Sequence, residues 1–487
     1  MNDETARHGE NSFRNILKGT SIFGGVQVLN ILISTIRLKF VAVILGPAGM
    51  GVAGLFNTAS LTLQQFASLG LNLSIVKETG SMRGNAAGMR DVLAAIRPLI
   101  LMSALLGALI CLLFPALLSD LTFGSRAYTS GYLLLSAAVF FSILGAALMS
   151  VLQGLHAVKP LSKASLVGAV TGLAAGVPLY WLLGTDGIVP AMIVLALATS
   201  LWYWLSLRKV LDTSPARWNG EVHLPILRRM LLMGLVLMSN DLFRNLSNFL
   251  INVYVRSAGG IEEVGFFQSC NTMTSQYSAI VFTAMAMDYL PRLSAVAGDN
   301  RKMCEVVNRQ MEIVGLLICP VVCAVVLLAP VVIEVLQSSR FLVAVPLFKF
   351  LALAVILRAL MYPPGYIVFA KDNKKLFFWM EAVGANILTL CLTCSGYAMF
   401  GLNGLGYAAI ADCAICFCVY LAVNRHLYGY RFSKAAAGIS IFAITGAAAM
   451  AACSFLLSGI AQWAIGGALL AAVSAFSLRG LLRRLGK

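Results

Sequence analysis

Long apolar runs alternate with short polar ones along the whole chain. Fourteen runs are long enough to cross a bilayer, near 16–44, 49–75, 92–118, 129–153, 162–183, 188–207, 226–255, 264–290, 305–333, 343–370, 376–397, 402–424, 436–457 and 461–480. A crossing helix takes roughly 20 apolar residues. Runs of this length predict helices, since a β-barrel alternates over segments about half as long.

One run departs from uniform apolarity. Between Met230 and Arg256 lie Asp241, Arg244, Asn245, Asn248 and Asn252, spaced so that a helix gathers them on one side. Such a stripe is costly against lipid and must face protein or a wet cavity. The first run carries a similar stripe of Gln27, Asn30, Ser34 and Arg37. The second run has Asn57, Ser60, Gln64 and Ser68, and the eighth has Asn271, Thr274 and Ser278. A single Ser or Thr of this kind more often joins helices. Four stripes at equivalent places predict a lined cavity.

The stripes also align. A shift of 214 residues places Gln27 on Asp241, Asn30 on Arg244, Gly46 on Gly260 and Gly51 on Gly265. A shift of 217 places Gly184 on Gly401, Gly187 on Gly404, Tyr203 on Tyr420 and Arg208 on Arg425. Spans one to six therefore resemble spans seven to twelve in order and orientation. The expected fold is an all-α polytopic membrane protein of two six-helix bundles related by a pseudo-two-fold along the membrane normal, plus two C-terminal helices. Parallel repeats of this kind are typical of transporters that rock two bundles about a central site. The divisions are a tail at 1–15, bundles at 16–210 and 226–430 joined by a linker at 211–225, and an extra pair of helices with a basic tail at 431–487. The extra pair, uncharged from Ala435 to Ser477, is expected to pack outside the bundle and offer lipid a groove.

Composition agrees with this class. Of 487 residues 59% are hydrophobic and only 11% charged, against about 25% charged in soluble domains. The net charge of +16 reads as topology before it reads as nucleic-acid binding. With the N-terminus in the cytoplasm, 28 of the 36 Lys and Arg fall on the inner side. Five fall outside (Arg37, Lys39, Arg126, Arg256, Arg340), and Arg244, Lys349 and Arg358 lie within spans. Both termini are expected inside. Met1 to Lys18 mixes both signs of charge and is not a secretory signal.

Charges inside apolar runs need a reason. Arg37 belongs to the first stripe and is expected in the cavity; Lys39 could equally snorkel to the surface. Asp241, one turn from Arg244, can pair with it. Arg358 precedes Pro363 and Pro364, which are expected to break the helix and free carbonyls. Asp288 and Arg292 flank Pro291 and could simply anchor a helix end. Glu381 and Asp412 could titrate in ion coupling or answer a basic neighbour. Cys391 and Cys394, like Cys413 and Cys416, are spaced CxxC, but within helices they read as small apolar residues without a partner His. There is no GxxxxGK[ST] phosphate loop, no HExxH and no DDxxD, so neither ATP hydrolysis nor a cofactor is expected.

Several short motifs in order are similar to a known family. Lys39 precedes Gly46-Pro-Ala-Gly-Met-Gly51, and Lys77 follows Gly70-Leu-Asn. Val264-Gly-Phe-Phe-Gln268 opens span eight and Tyr289-Leu-Pro-Arg-Leu-Ser294 closes it. Arg358, Gly365-Tyr366, Ala370-Lys371 and Glu381 follow. Over about residues 15–430 the chain resembles the polysaccharide transport family, which includes O-antigen and lipid III flippases and shares a superfamily with MATE exporters and the lipid II flippase. The resemblance implies two bundles in a V around a cationic cavity. It also implies an undecaprenyl-diphosphate-linked oligosaccharide as substrate, moved across the bacterial inner membrane. Candidate substrate-binding residues are then Gln27, Arg37, Lys39, Arg244, Asn248 and Arg358, with Asp241, Asp288, Glu381 and Asp412 as ion-coupling or ion-pair candidates. Membrane lipids, a coupling H⁺ or Na⁺ and a polysaccharide polymerase are the expected partners. The Asp241–Arg244 pair is not part of the family's pattern, and the last two spans are absent from its shorter, twelve-span members.

Two other readings stand beside this one. A multidrug exporter coupled to H⁺ or Na⁺ would want carboxylates as the main cavity charges. A membrane enzyme such as an O-antigen polymerase or ligase would want a sizeable outer loop, and each outer loop here is short.

The charge asymmetry is directly testable. Reporter fusions at Gly220 and Lys487 should both report a cytoplasmic location, and periplasmic activity at either would break the fourteen-span topology.

Overall fold

The computed structural model describes residues 2–82, 85–211 and 218–485. The centre of the inner linker, the side chains of the N-terminal tail, that of Asp288 and the last residue, Lys487, lie outside the described residues. Among the described residues fifteen α-helices run in order: α1 (Asn2–Ser68), α2 (Leu71–Ser81), α3 (Ala86–Leu113), α4 (Pro115–Phe123), α5 (Thr129–Gly154), α6 (Val158–Leu183), α7 (Ile188–Val210), α8 (Gly220–Gly259), α9 (Ile261–Ala295), α10 (Asn300–Leu336), α11 (Val345–Ala370), α12 (Lys374–Phe377), α13 (Asn386–Tyr428), α14 (Lys434–Leu456) and α15 (Gly459–Leu485). A π-helix, Phe378–Ala385, joins α12 to α13.

Among the described residues nine stretches are long and apolar enough to cross a membrane, and the α8 segments Gly220–Gly234 and Met238–Gly259 qualify together. Three of the nine, Gly25–Ser68, Val158–Val210 and Lys374–Tyr428, have 44, 53 and 55 residues, twice what one crossing takes. Each is interrupted at a glycine with positive φ: Gly46 (φ 67°, ψ −168°), Gly184 (φ 59°, ψ −132°) and Gly401 (φ 58°, ψ −143°). Between α8 and α9, Gly260 does the same (φ 92°, ψ 176°). These are the glycines that the internal repeat superposes, Gly46 on Gly260 and Gly184 on Gly401. An added Cβ at Gly184, Gly260 or Gly401 would meet nothing within 4 Å, so backbone conformation rather than crowding demands glycine there.

The chain forms two compact units, Met1–Val253 and Tyr254–Lys487. In the first, α8 packs on α2. Gly70 and Gly234 let the two backbones touch, since a Cβ on Gly70 would lie 2.2 Å from the Gly234 carbonyl oxygen. Ser74 donates to the Met230 carbonyl at 2.9 Å, and Arg229 pairs with buried Glu78 at 2.6 Å. Leu71, Ile75, Val92, Ile96, Val151 and Met230 close the core beneath these contacts.

The second unit is built round α10. Met303, Val307, Met311, Val314, Ile318, Val322 and Val326 are fully buried. They recur every three or four residues and form one continuous apolar face. The last two helices are not an outer layer alone. Ala436, Ala443, Ala447 and Met450 of α14 and Val473 of α15 join the α10 core, and the alanines let α14 come close. Lys349 accounts for one charge within a span. It is buried, its Nζ donates to the Ser454 carbonyl at 3.0 Å, and it lies 4.8 Å from the Phe455 ring centroid. It thus caps the carbonyl end of α14, where the helix dipole favours a cation.

The Pro363–Pro364 pair does not break its helix, contrary to the sequence expectation: α11 runs unbroken from Val345 to Ala370. Neighbouring helices bind the prolines' own carbonyls. The Tyr289 hydroxyl donates to Pro363 O at 2.7 Å and Asn424 Nδ2 to Pro364 O at 2.8 Å. Asn308, 7% exposed, plays a similar part at the other side of the unit. Its Nδ2 donates to Cys304 O and Arg431 O, and its Oδ1 accepts from the Tyr430 hydroxyl and the Ser433 backbone N–H, all within 3.0 Å. It ties the 429–433 turn to α10.

Asn308→Leu should therefore strand several buried polar groups at once. A loss of about 2–4 kcal/mol is expected, at about 1–3 kcal/mol per unsatisfied group and with partial relaxation. A thermal melt of the detergent-purified protein checks it, and a melting temperature equal to the parent's would contradict the role.

Candidate functional site

Two polar clusters stand out, one in each unit. In the first unit the stripe on α8 carries an ion pair, with Arg244 Nη2 donating to Asp241 Oδ1 at 2.8 Å. Spacing along the helix sets this contact, since residues three apart share a face. The pair is not sunk into its own unit: the Arg244 side chain is 59% exposed and that of Asp241 42%. Asn248 is exposed beside it, while Asn252 is buried. The backbone carbonyl of Asn245 accepts from the Thr62 hydroxyl of α1 at 3.2 Å.

The first stripe divides. Gln27 and Lys39 are exposed. Arg37 is half-buried and close enough to Tyr180 of α6 for its charge to act on that hydroxyl. Asn30 instead donates to Ser165 of α6 at 2.9 Å, joining two helices. Ser60 and Ser68 in the second stripe are also buried, and Ser60 accepts from Gln64 one turn away at 2.8 Å. For these positions packing explains the polarity. Gln27, Asp241, Arg244 and Asn248 remain on the open surface of the unit.

The second cluster lies among α11, the π-helix and α13. Glu381 sits in the π-helix and accepts from the Tyr420 hydroxyl. Asn386 Nδ2 donates to the carbonyls of Glu381 and Ala382 at 3.0 and 2.9 Å, holding the widened turn. Across the hairpin, Asp412 accepts from the Thr389 hydroxyl at 3.0 Å. Gly396 and Gly404 let the two arms of α13 meet, for a Cβ on Gly404 would strike the Gly396 carbonyl. Arg358 is exposed at this site and acts electrostatically on Asp412, Cys413 and Tyr277. Among the described residues it makes no ion pair within 4.0 Å. The structure thus brings Arg358 near Asp412, sets Glu381 in the same cluster around Cys416, and brings Asp241 and Arg244 together. Arg292 points to Gln310 at 3.5 Å, among its contacts. Among the described residues no three His, Cys, Asp or Glu side chains gather as a metal site.

A family model described as "Polysaccharide biosynthesis protein" matches residues 40–346. The chain belongs to that family. The lipid III flippases of Escherichia coli (strain K12) and Shigella flexneri are each 25% identical to it over 353 residues, 70% of this chain and 82% of theirs. Among solved structures, the lipid II flippase MurJ in an inward closed conformation matches with a TM-score of 0.70 at 13% identity, covering 97% of this chain and all of that one. An inward-facing multidrug resistance MATE family transporter of the MOP superfamily matches at 0.69 and 17% identity, over 83% of this chain and 94% of that one. The polytopic all-α fold of this polysaccharide biosynthesis family member is therefore that of membrane transporters.

Sequence reasoning missed the partners rather than the charges. Tyr420 was visible only as the repeat mate of Tyr203, and Thr389 carried no signal. Glu78 and Arg229, and His223 with Asp91 at 3.4 Å, meet across 151 and 132 residues, beyond any helical spacing.

Tyr420→Phe should leave Glu381 without its donor and lower stability by about 1–3 kcal/mol. Glu381→Gln keeps an acceptor oxygen for Tyr420 and should be milder. Melting curves of the two variants check the order; a reversed order would mean the contact contributes nothing.

Proposed function

We propose that the chain is a flippase moving an undecaprenyl-diphosphate-linked oligosaccharide of O-antigen type from the cytoplasmic to the periplasmic leaflet of the bacterial inner membrane, with both termini in the cytoplasm. The observation that carries the reading is family membership together with relatives named lipid III flippase, matched over 82% of their length. The chemistry of the open α8 surface supports it. A guanidinium presents a planar fork of donors suited to a diphosphate, and neutral amides such as Gln27 and Asn248 suit sugar hydroxyls.

The mechanism follows from the ion pair. An unpaired charge at this depth costs about 3 kcal/mol or more. With the site empty, Asp241 holds Arg244. An arriving diphosphate replaces Asp241 as partner, so binding exchanges one ion pair for another. Arg37, Lys39 and Arg358 supply further positive charge. Asp241, once released, and Asp288, Glu381 and Asp412 are the carboxylates available to couple transport to H⁺ or Na⁺. Association with a polysaccharide polymerase belongs to the same reading, because the flipped unit is the polymerase's substrate.

Deleting the gene should trap lipid-linked repeat units in the inner leaflet and abolish surface polysaccharide. Normal polymerised glycan, with no second flippase encoded, would sink the proposal. In the complemented strain Arg244→Ala should lower transport by about ten- to hundredfold at unchanged protein level, the range for losing hydrogen bonds to a charged group. Arg244→Lys should recover part. The double variant Asp241→Ala/Arg244→Ala should stay inactive, and normal transport by it would make the pair a structural tie.

A further inference from the structure

A cleft of about 820 Å³ opens in the second unit, away from both clusters. Its walls come from the first turns of α10, the turn between α13 and α14, and the last turn of α15. Four arginines line it, Arg301, Arg309, Arg431 and Arg484, against two carboxylates, Glu305 and Glu312. Arg484 is taken by Glu312 at 2.7 Å, and Arg301 reaches Glu305 at 3.6 Å. Among the described residues Arg309 and Arg431 have no such partner. The cleft therefore holds two uncompensated positive charges, in a volume typical of small-ligand sites.

Its surroundings say what kind of anion fits. All three wall segments belong to the basic side of the chain, the side expected in the cytoplasm. The cleft floor is fixed by Asn308, which holds the 429–433 turn, so the cationic groups hang from an ordered frame. Deeper along the same helix faces the surface turns apolar. Phe442, two turns from Ala435, meets Phe476, about two turns from Arg484, with the rings tilted and their centroids 4.2 Å apart. Phe476 is half exposed. A cationic mouth above an exposed aromatic wall suits a molecule with a phosphate at one end and an acyl chain at the other. A free phosphate would use the first feature and not the second.

We propose that this cleft binds the phosphodiester headgroup of an anionic glycerophospholipid of the inner leaflet, with Arg309 and Arg431 as the headgroup ligands and Phe476 against its acyl chain. The lipid would bridge α10, α14 and α15, fastening the last two helices to the unit from the cytoplasmic side. This inference rests on the membrane topology and is independent of the transported substrate. Basic pockets between helices on that side are a known mode of headgroup recognition.

The test uses the full chain in nanodiscs of phosphatidylcholine doped with phosphatidylglycerol. Native mass spectrometry should show the anionic lipid retained over the neutral one. The double variant Arg309→Gln/Arg431→Gln should lower that retention about tenfold, while Arg309→Lys/Arg431→Lys keeps most of it. Both arginines are exposed and make no ion pair among the described residues, so folding should stand, with circular dichroism as the check. A second measurement needs no substitution. Cys304 lines the cleft, and its alkylation, read at the peptide level, should slow when phosphatidylglycerol replaces phosphatidylcholine. Equal retention of both lipids by the parent chain, or unchanged retention by the glutamine variant, would overturn the proposal. So would protection of Cys304 by inorganic phosphate alone to the same extent, which would make the site one for a soluble anion.

Discussion

A polar group placed in hydrocarbon must be answered by another part of the same chain, because no water is there to answer it. Most of the specific contacts in this protein are instances of that demand. Lys349 meets the carbonyl end of α14; the Pro363 and Pro364 carbonyls meet Tyr289 and Asn424; Asn308 satisfies four groups on two elements. Each is also a tie between helices. The apolar stripe of α10 makes helices adhere without saying at what height, whereas the polar contacts fix height and rotation. In a lipid environment, where apolar contact is available everywhere, these sparse contacts give the packing its specificity.

The charged residues sort by whether that demand is met within their own unit. Lys349 and Glu78 are buried and partnered, and their places are explained by packing, although Arg229, which answers Glu78, is as exposed as Arg244. Arg244 and Asp241 pair while staying substantially open, and Arg358 is exposed near Asp412 with no ion pair among the described residues. A pair that is open can be exchanged. A pair with one buried member cannot, without stranding that member. This difference separates candidates for transport from structural charges better than depth along the chain does.

Much of this was legible beforehand. Helix content, the repeat and its glycines follow from periodicity and from offsets shared by Gly46/Gly260 and Gly184/Gly401, whose backbone angles match. The Asp241–Arg244 contact follows from spacing on one helix. What the sequence hid is of two kinds. Long-range partners such as Glu78–Arg229 or Glu381–Tyr420 depend on which helices become neighbours, and spacing along the chain carries no such information. The prolines misled for a related reason. A proline pair usually ends a helix, but α11 continues through this one, and Tyr289 and Asn424 of neighbouring helices bind the prolines' own carbonyls rather than the ones the prolines leave free. Likewise Asn30 and Ser60 are polar because they join or stiffen helices, and a stripe alone could not separate them from Gln27.

The π-helix at Phe378–Ala385 has an implication of its own. Such a turn holds one residue more than the α-helical spacing, and it recurs at functional positions. Each residue added to or taken from an α-helix turns everything beyond it by about 100°. Glu381 reaches Tyr420 only with the present count of residues between the 371–373 turn and the hairpin at Gly401. Chain length there works as an alignment key. A homologue one residue shorter in this stretch would present a different side chain to Tyr420, so descent with insertions and deletions could retune this carboxylate's neighbourhood without replacing a single residue in it.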